Sequence, residues 1–202
     1  MFYIIYRTSD GLITQSGSCQ SLDQINGHLD GNTAALEVTD STVNGQTSYV
    51  ANGIPVAYTS DQLSEMTNFP GPNYTWSPTG WVDGRTLDQA KAAAITRLTD
   101  ARDELEYANF TYNGNTYTAS DTDQRRINGA VTLAMLSQSA GTTFSVTWVD
   151  ANNSGVNLDG PGVIGLGQAL ATQVLGAFSR YNTALIAVQA ATTNAAVDAI
   201  NL

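Results

Sequence analysis

The order of hydrophobic and polar positions predicts a β-rich first part of the chain. Residues 2–7 read FYIIYR, so both faces of this segment are largely apolar, and we interpret it as the first β-strand. A Ser-Asp-Gly turn signal at residues 9–11 precedes residues 12–14, which we expect to pair back as a hairpin. Further elements expected before residue 60 are a short helix at 21–29, a turn at 43–46, and strands at 48–50 and 54–58.

Residues 61–85 have a different character, because Pro70, Pro72 and Pro78 lie within them. Proline fixes φ and removes a backbone donor, so we interpret this segment as an ordered linker rather than a helix or a central strand. Trp76 and Trp81 also lie here. Two tryptophans in such a segment are expected to pack on the adjacent domain, and stacking on a ligand is the alternative.

The pattern becomes helical from Thr86 onward. Residues 86–89 (Thr-Leu-Asp-Gln) form a capping-box sequence. Leu98 and Leu105 then fall on one apolar face, which predicts a helix that ends near residues 108–109.

A hairpin and a second helix should follow. Asn113 and Gly114 stand between two short aromatic segments and suit a type I′ turn, in which both central residues need positive φ. The second helix is expected at 121–139. Its predicted core stripe consists of Ile127, Val131, Ala134 and Met135. The strands expected next are at 144–149 and 156–158.

A long apolar helix is predicted after Gly160 and Pro161, because proline suits the first turn of a helix. Arg180 and Asn182 are expected to mark a bend before a further helix to about residue 190. Thr193 is expected to cap a short final helix that reaches residue 200.

Together these elements predict an α+β fold with three parts. The first is a small N-terminal β-rich module at 1–60, which would dock on a neighbouring protein. The second is the Pro- and Trp-containing linker at 61–85. The third is a mostly helical C-terminal domain at 86–202 with a β-hairpin and short strands.

The charge of the chain excludes one class of partner and indicates another. The 202 residues carry a net charge of -10, so the basic stripe that phosphate binding needs is missing and no nucleic-acid partner is expected. Charged residues make up only 13% of the chain. A surface so poor in charge can be covered by neighbouring subunits without desolvating many ions. A soluble domain with a neutral polar surface is the alternative interpretation.

Cofactors, metals and export signals are not expected. Cys19 is the one cysteine and His28 the one histidine, so neither an internal disulfide nor a zinc site can form. The apolar run at residues 2–6 is short and has no basic residue before it, unlike a signal peptide. We therefore expect folding and assembly in a cytoplasm.

Three further motifs have ordinary structural explanations. Residues 150–155 resemble the start of a calcium loop, but Pro161 stands where the twelfth-position glutamate is needed, so an Asx-rich turn is favoured. The glycines at 162, 165 and 167 are expected to let two helices approach closely rather than to bind a nucleotide. The same segment is apolar, but Gln168 and Gln173 interrupt it and no basic residue flanks it, so no membrane span is expected.

Paired catalytic carboxylates are not predicted either. Glu104 and Glu106 are two positions apart on a helix and point in different directions, so they would not flank one bond. Of Arg125 and Arg126, one is expected to pair with a nearby carboxylate such as Asp121 or Asp123 and the other to be solvated, with binding of an acidic partner surface as the alternative.

An ordered series of motifs from about residue 76 onward resembles the DUF4376 type of domain found in tailed-phage proteins. The motifs are WVDGRTL at 81–87, ARD at 101–103, FTYNG at 110–114, QRRINGA at 124–130, Trp148 with ANN at 151–153, and AAT at 190–192. The resemblance implies a component of a tail fibre or baseplate, or a protein of fibre assembly. It supplies no catalytic residues.

We therefore expect a structural phage tail protein, assembled in the host cytoplasm, that binds other tail proteins and forms a homo-oligomer, for which the analogy with fibres indicates a trimer. A fibre-assembly chaperone absent from the mature particle is the alternative, and an enzyme acting on cell-wall or capsule sugar is a third and weaker one. The candidate interface residues are Trp76, Trp81, Arg125, Arg126, Leu166, Leu170, Val174 and Phe178.

Overall fold

The chain divides into two units, residues Met1–Gly84 and Arg85–Leu202, in a computed structural model that describes all residues from 1 to 202. Unit 1 contains β1 (Phe2–Arg7), β2 (Ile13–Ser18), α1 (Asp23–Asn26), β3 (Thr33–Val38), β4 (Ser48–Ala51), β5 (Ile54–Ala57), α2 (Ser60–Thr67), β6 (Tyr74–Ser77) and β7 (Gly80–Asp83). Unit 2 contains α3 (Leu87–Tyr107), β8 (Phe110–Tyr112), β9 (Asn115–Tyr117), α4 (Asp121–Ser139), β10 (Ser145–Val149), β11 (Gly155–Asp159), α5 (Gly160–Ala190) and α6 (Asn194–Asp198). The molecule is α+β, as the sequence predicted.

An antiparallel sheet in the order β2-β1-β3 forms the main part of unit 1. Its central strand is β1, in which Tyr3 and Ile4 are buried while Phe2 is 41% exposed. The core consists of Ile4, Ile13, Val38 and Val50. The β4–β5 hairpin turns at Asn52 and Gly53, both at positive φ, as a type I′ turn requires.

Residues 61–85 contain regular secondary structure, so the prediction of a linker without a helix was wrong. Helix α2 begins after Thr59, whose side chain accepts from the backbone of Gln62 in a capping box. The antiparallel pair β6–β7 follows. The three prolines of this segment lie after α2, so none of them interrupts its hydrogen bonds. Proline content was therefore a poor guide to the first third of the segment.

In unit 2, the long helix α5 packs against both α3 and α4. One core cluster lies where α4 and the hairpins meet the first half of α5, and includes Ile127 and Leu166. A second cluster lies where α3 and α6 meet the last turns of α5, and includes Leu98 and Val188.

Several local predictions for unit 2 are confirmed. The capping box of Thr86 and Gln89 begins α3. Asn113 and Gly114 have φ of 47° and 79° between β8 and β9. Thr193 caps the last helix, although this helix ends at Asp198 rather than at residue 200.

Two other predictions were wrong. Helix α5 continues uninterrupted through Arg180 and Asn182 to Ala190, so no further helix begins there, because neither residue removes a backbone donor. Met135 is 55% exposed rather than in the core, because it follows Ala134 by one position and points to another side of α4.

Candidate interaction surfaces

An aromatic ladder runs through unit 1. Neighbouring ring centroids are 5.3 Å apart for Tyr49–Tyr58, 6.1 Å for Tyr58–Trp76, 5.3 Å for Trp76–Trp81 and 5.3 Å for Trp81–Phe69. The last three pairs have the edge-to-face geometry that aromatic quadrupoles favour. The ladder links the β4–β5 hairpin to α2 and to the β6–β7 hairpin.

Trp76 lies inside this ladder and is only 8% exposed. Its Nε1 donates to the hydroxyl of Tyr58 at 3.3 Å. Burial raises the pKa of Tyr58 above its usual value. Trp76 contributes to the interior of its own unit, so its side chain offers little surface to a partner.

Trp81 and Phe69 form the outer end of the ladder. Trp81 is half-buried and donates from Nε1 to the carbonyl of Glu65 at 3.0 Å, which fixes its orientation against α2. Phe69 is 59% exposed. Of the two tryptophans proposed for an interface, Trp81 is the one with accessible ring surface.

Arg125 and Arg126 lie on the first turns of α4 with most of their side chains in solvent. Arg125 is 72% exposed and pairs with Asp121 one turn earlier. Arg126 is 69% exposed and lies 3.8 Å from Asp123. Exposed pairs of this kind contribute about 0–1 kcal/mol. Both arginines are accessible to an acidic partner.

Asp123 combines its ion pair with a role at the helix N-terminus. It accepts from the hydroxyl of Ser120 at 2.6 Å, and its backbone N–H donates back to that hydroxyl at 3.2 Å. Burial acts to raise the pKa of Asp123, but the hydrogen bonds from Ser120 and Thr118 outweigh it and hold the pKa below its usual value. The charge of Asp123 thus stabilises α4 at its positive end.

The inner side of α5 accounts for three of the proposed interface residues. Leu166 and Leu170 are buried in the core that α5 shares with α4, and Val174 packs against the same cluster half-buried. Leu166 and Leu170 therefore offer no surface to another subunit while unit 2 is folded. The sequence pattern identified the helix as apolar but could not separate its inner side from its outer side.

Close helix packing explains Gly167. A Cβ built on this residue would lie 2.5 Å from Cγ2 of Val131 on α4. The absence of a side chain therefore lets the two helices approach, which is the role predicted for the glycines of this segment.

The outer side of α5 is apolar and exposed. Leu175 is 66% exposed, Phe178 48% and Ile186 67%. Arg180 is the only charged residue among the 31 of α5, whereas the 21 residues of α3 include eight charged ones. The two helices of one unit thus differ in charge: α3 is rich in charged residues and α5 has almost none. Of the proposed interface residues on α5, only Phe178 lies on this side, and Leu175 and Ile186 were not predicted.

By length and composition, α5 is also the one helix that could cross a membrane. In its most apolar stretch only 22% of the residues are buried inside the unit. The expectation that the protein has no membrane partner stays a prediction.

The loop between β10 and β11 is an Asx-rich turn in its geometry. The buried carboxylate of Asp150 accepts from the backbone N–H groups of Asn152 and Ser154, both at 2.8 Å. Gly155 begins the next strand, and no group of three His, Cys, Asp or Glu side chains is arranged to hold a metal ion. The carboxylate therefore organises the turn.

These features define the class of unit 2: an α+β domain in which a long helix packs on two others and on two β-hairpins. A family model described as domain of unknown function (DUF4376) matches residues 89–201, more than half of the chain, and the chain belongs to this family. No curated protein and no solved structure matches it.

Proposed function

We propose that this protein is a structural component of a bacteriophage tail, in a tail fibre or baseplate, and that it acts by binding other proteins rather than by catalysis. The observation that carries the proposal is the outer side of α5, where Leu175, Phe178 and Ile186 are each about half exposed or more. Apolar side chains in such a group are typical of surfaces that a partner covers. The phage assignment rests on the motif resemblance described above.

The charge distribution supports an assembly role. From residue 131 to the end, the charged residues are Asp150, Asp159, Arg180 and Asp198. Wide uncharged surfaces cost little to desolvate when subunits pack together. Unit 1 adds a second contact surface in this proposal, formed by Phe69 and Trp81, through which it docks on a neighbouring tail protein. Partners are thus other tail proteins and further copies of the chain, without nucleic acid or membrane.

Quantitative mass spectrometry of purified particles of the encoding phage tests the proposal. We expect a fixed copy number relative to the major capsid protein, reproducible between preparations and in a multiple of three or six. A chain that is abundant in the lysate but missing from particles would refute the tail-component proposal and favour the assembly chaperone.

A further inference from the structure

Arg180 is the one cationic side chain that has no partner inside the protein. The chain has eight lysines and arginines, and seven of them form hydrogen bonds or ion pairs within the chain. These seven are Arg7, Arg85, Lys91, Arg97, Arg102, Arg125 and Arg126. Arg180 forms neither and is exposed on α5. Its guanidinium is therefore free to engage a group from outside the chain.

A cavity of about 290 Å³ lies beside Arg180, where the end of α3 meets α5. Leu105 and Ala108 line it from the side of α3, and Gly176 and Arg180 line it from α5. We call it the α3–α5 pocket. A Cβ built on Gly176 meets no atom within 4 Å, so the space in front of this glycine is open. Phe178 is two positions from both Gly176 and Arg180 and points elsewhere, so the pocket is separate from the outer side of α5.

The wall of the α3–α5 pocket presents no charge that competes with Arg180. No aspartate or glutamate side chain lines it. The carbonyl groups of Leu105 and Ala108 lie at the negative end of α3, and they accept hydrogen bonds from Nε2 of Gln173 at 3.1 Å and 2.6 Å. Gln173 thus covers the carbonyl oxygens that would otherwise repel an anion. Arg180 is therefore the charged group that an occupant of the pocket meets.

An occupant has to match both the apolar wall and the guanidinium. Whatever fills the pocket also removes water from Arg180, because Arg180 is part of its wall. Covering a guanidinium without a counter-charge is costly, so a purely apolar occupant is disfavoured. A carboxylate satisfies the guanidinium with two parallel hydrogen bonds. A phosphate is disfavoured, because the pocket offers one cation and the C-terminal rather than the N-terminal end of a helix.

We propose that the α3–α5 pocket receives a large apolar side chain of a partner protein, and that Arg180 pairs with an aspartate or glutamate adjacent to that side chain in the partner. Pockets that enclose whole small ligands measure about 300–1,000 Å³, so this one suits a single anchor side chain. Anchors of this kind carry most of the binding energy of an interface. The inference rests on the proposed function in that it takes protein binding as the activity, but it does not rest on the phage assignment.

Selection from an mRNA-displayed library of random peptides on the purified full chain tests the pocket. We expect the enriched peptides to share an acidic residue beside a large apolar one. Non-specific attraction to a chain of net charge -10 would enrich basic peptides instead, so an acidic consensus is informative. Gly176→Leu fills the pocket and should weaken the binding of these peptides by about tenfold or more. Gly129→Leu is the matched control, because Gly129 is also an exposed helical glycine with open space at its Cβ, and it should leave the affinity unchanged. Circular dichroism must show that both variants keep their helices.

Charge reversal tests the role of Arg180. Arg180→Glu should weaken the same peptides by about tenfold or more, and selection against this variant should replace the acidic position by lysine or arginine. Failure to enrich any peptide, a consensus without an acidic position, or binding that is insensitive to either Gly176→Leu or Arg180→Glu would overturn the proposal. So would binding of dodecanoate that Gly176→Leu abolishes in the absence of any selected peptide, since this would assign the pocket to a small carboxylic acid. The selection needs no phage particle, so it and the copy-number measurement can fail separately.

Discussion

Two glycines of the same helix provide a sharp test of the packing between α4 and α5. Gly167 faces α4, and a Cβ built on it lies 2.5 Å from Cγ2 of Val131 and 3.7 Å from Cγ2 of Ile127. Gly176 lies further along α5, and a Cβ built there meets no atom within 4 Å. Gly167→Ala and Gly176→Ala change helix propensity equally. The two variants differ only in what the new methyl group contacts.

The expected free energies of unfolding follow from these contacts. Alanine in place of glycine inside a helix stabilises it by about 0.8–1 kcal/mol, so Gly176→Ala should be more stable than the wild type by about that amount. At Gly167 the same gain is opposed by overpacking, which typically costs about 1–3 kcal/mol. Val131 cannot relieve the contact easily, because a β-branched side chain has one strongly preferred rotamer in a helix. Gly167→Ala should therefore be less stable than Gly176→Ala by about 1–3 kcal/mol.

Thermal and urea unfolding followed by circular dichroism at 222 nm measures this difference. Helix signal reports mainly unit 2, since unit 1 contributes only α1 and the eight-residue α2. A difference of about 2 kcal/mol corresponds to roughly 4–16 °C in Tm for a unit of this size. If both variants gain stability to the same extent, α4 and α5 do not approach each other closely at Gly167, and the contact between Gly167 and Val131 is refuted.

Three further changes have defined outcomes. Leu98→Ala should destabilise unit 2 by about 2–5 kcal/mol in urea unfolding, because Leu98 is 1% exposed in the core between α3 and α5. Tyr117→Phe should keep or raise stability by about 1 kcal/mol, because the buried Tyr117 hydroxyl has no hydrogen-bond partner. Burial also raises the pKa of Tyr117, so the unfolded chain loses this proton at a lower pH than the folded chain, and the stability of the wild type falls as the pH rises beyond about 10. The urea midpoints measured at pH 8 and at pH 10.5 should therefore lie closer together in Tyr117→Phe than in the wild type. Arg125→Ala should change the free energy of unfolding measured in urea by less than about 1 kcal/mol, because the ion pair of Arg125 with Asp121 is exposed.

The features that the sequence predicted well depend on near neighbours in the chain. Asn113 and Gly114 fix a type I′ turn because their own φ angles must be positive. Thr86 and Gln89 begin α3 through hydrogen bonds that span three residues. Such signals can be recognised without knowing what the segment packs against.

The features that the sequence did not predict depend on the surrounding fold. Helix α2, which was not predicted, has the same kind of cap, formed by Thr59 and Gln62. The prolines that follow it indicated a linker, but they lie beyond its last residue. Leu170 and Leu175 are both leucines on one apolar helix, yet Leu170 is 3% exposed and Leu175 66%. Only the position of α4 distinguishes them, and that position is a property of tertiary packing.

The composition of α5 is compatible with a core helix, a membrane span or a helix shared with a partner protein, and the distribution of its exposed residues separates the first of these roles from the other two. A core helix is apolar all round because it is covered all round. Here one side is covered by α3 and α4, while Leu175 and Ile186 remain about two-thirds exposed. The same helix thus completes the core of unit 2 on its inner side and leaves apolar side chains exposed on its outer side, which is the surface that the proposed function assigns to protein partners.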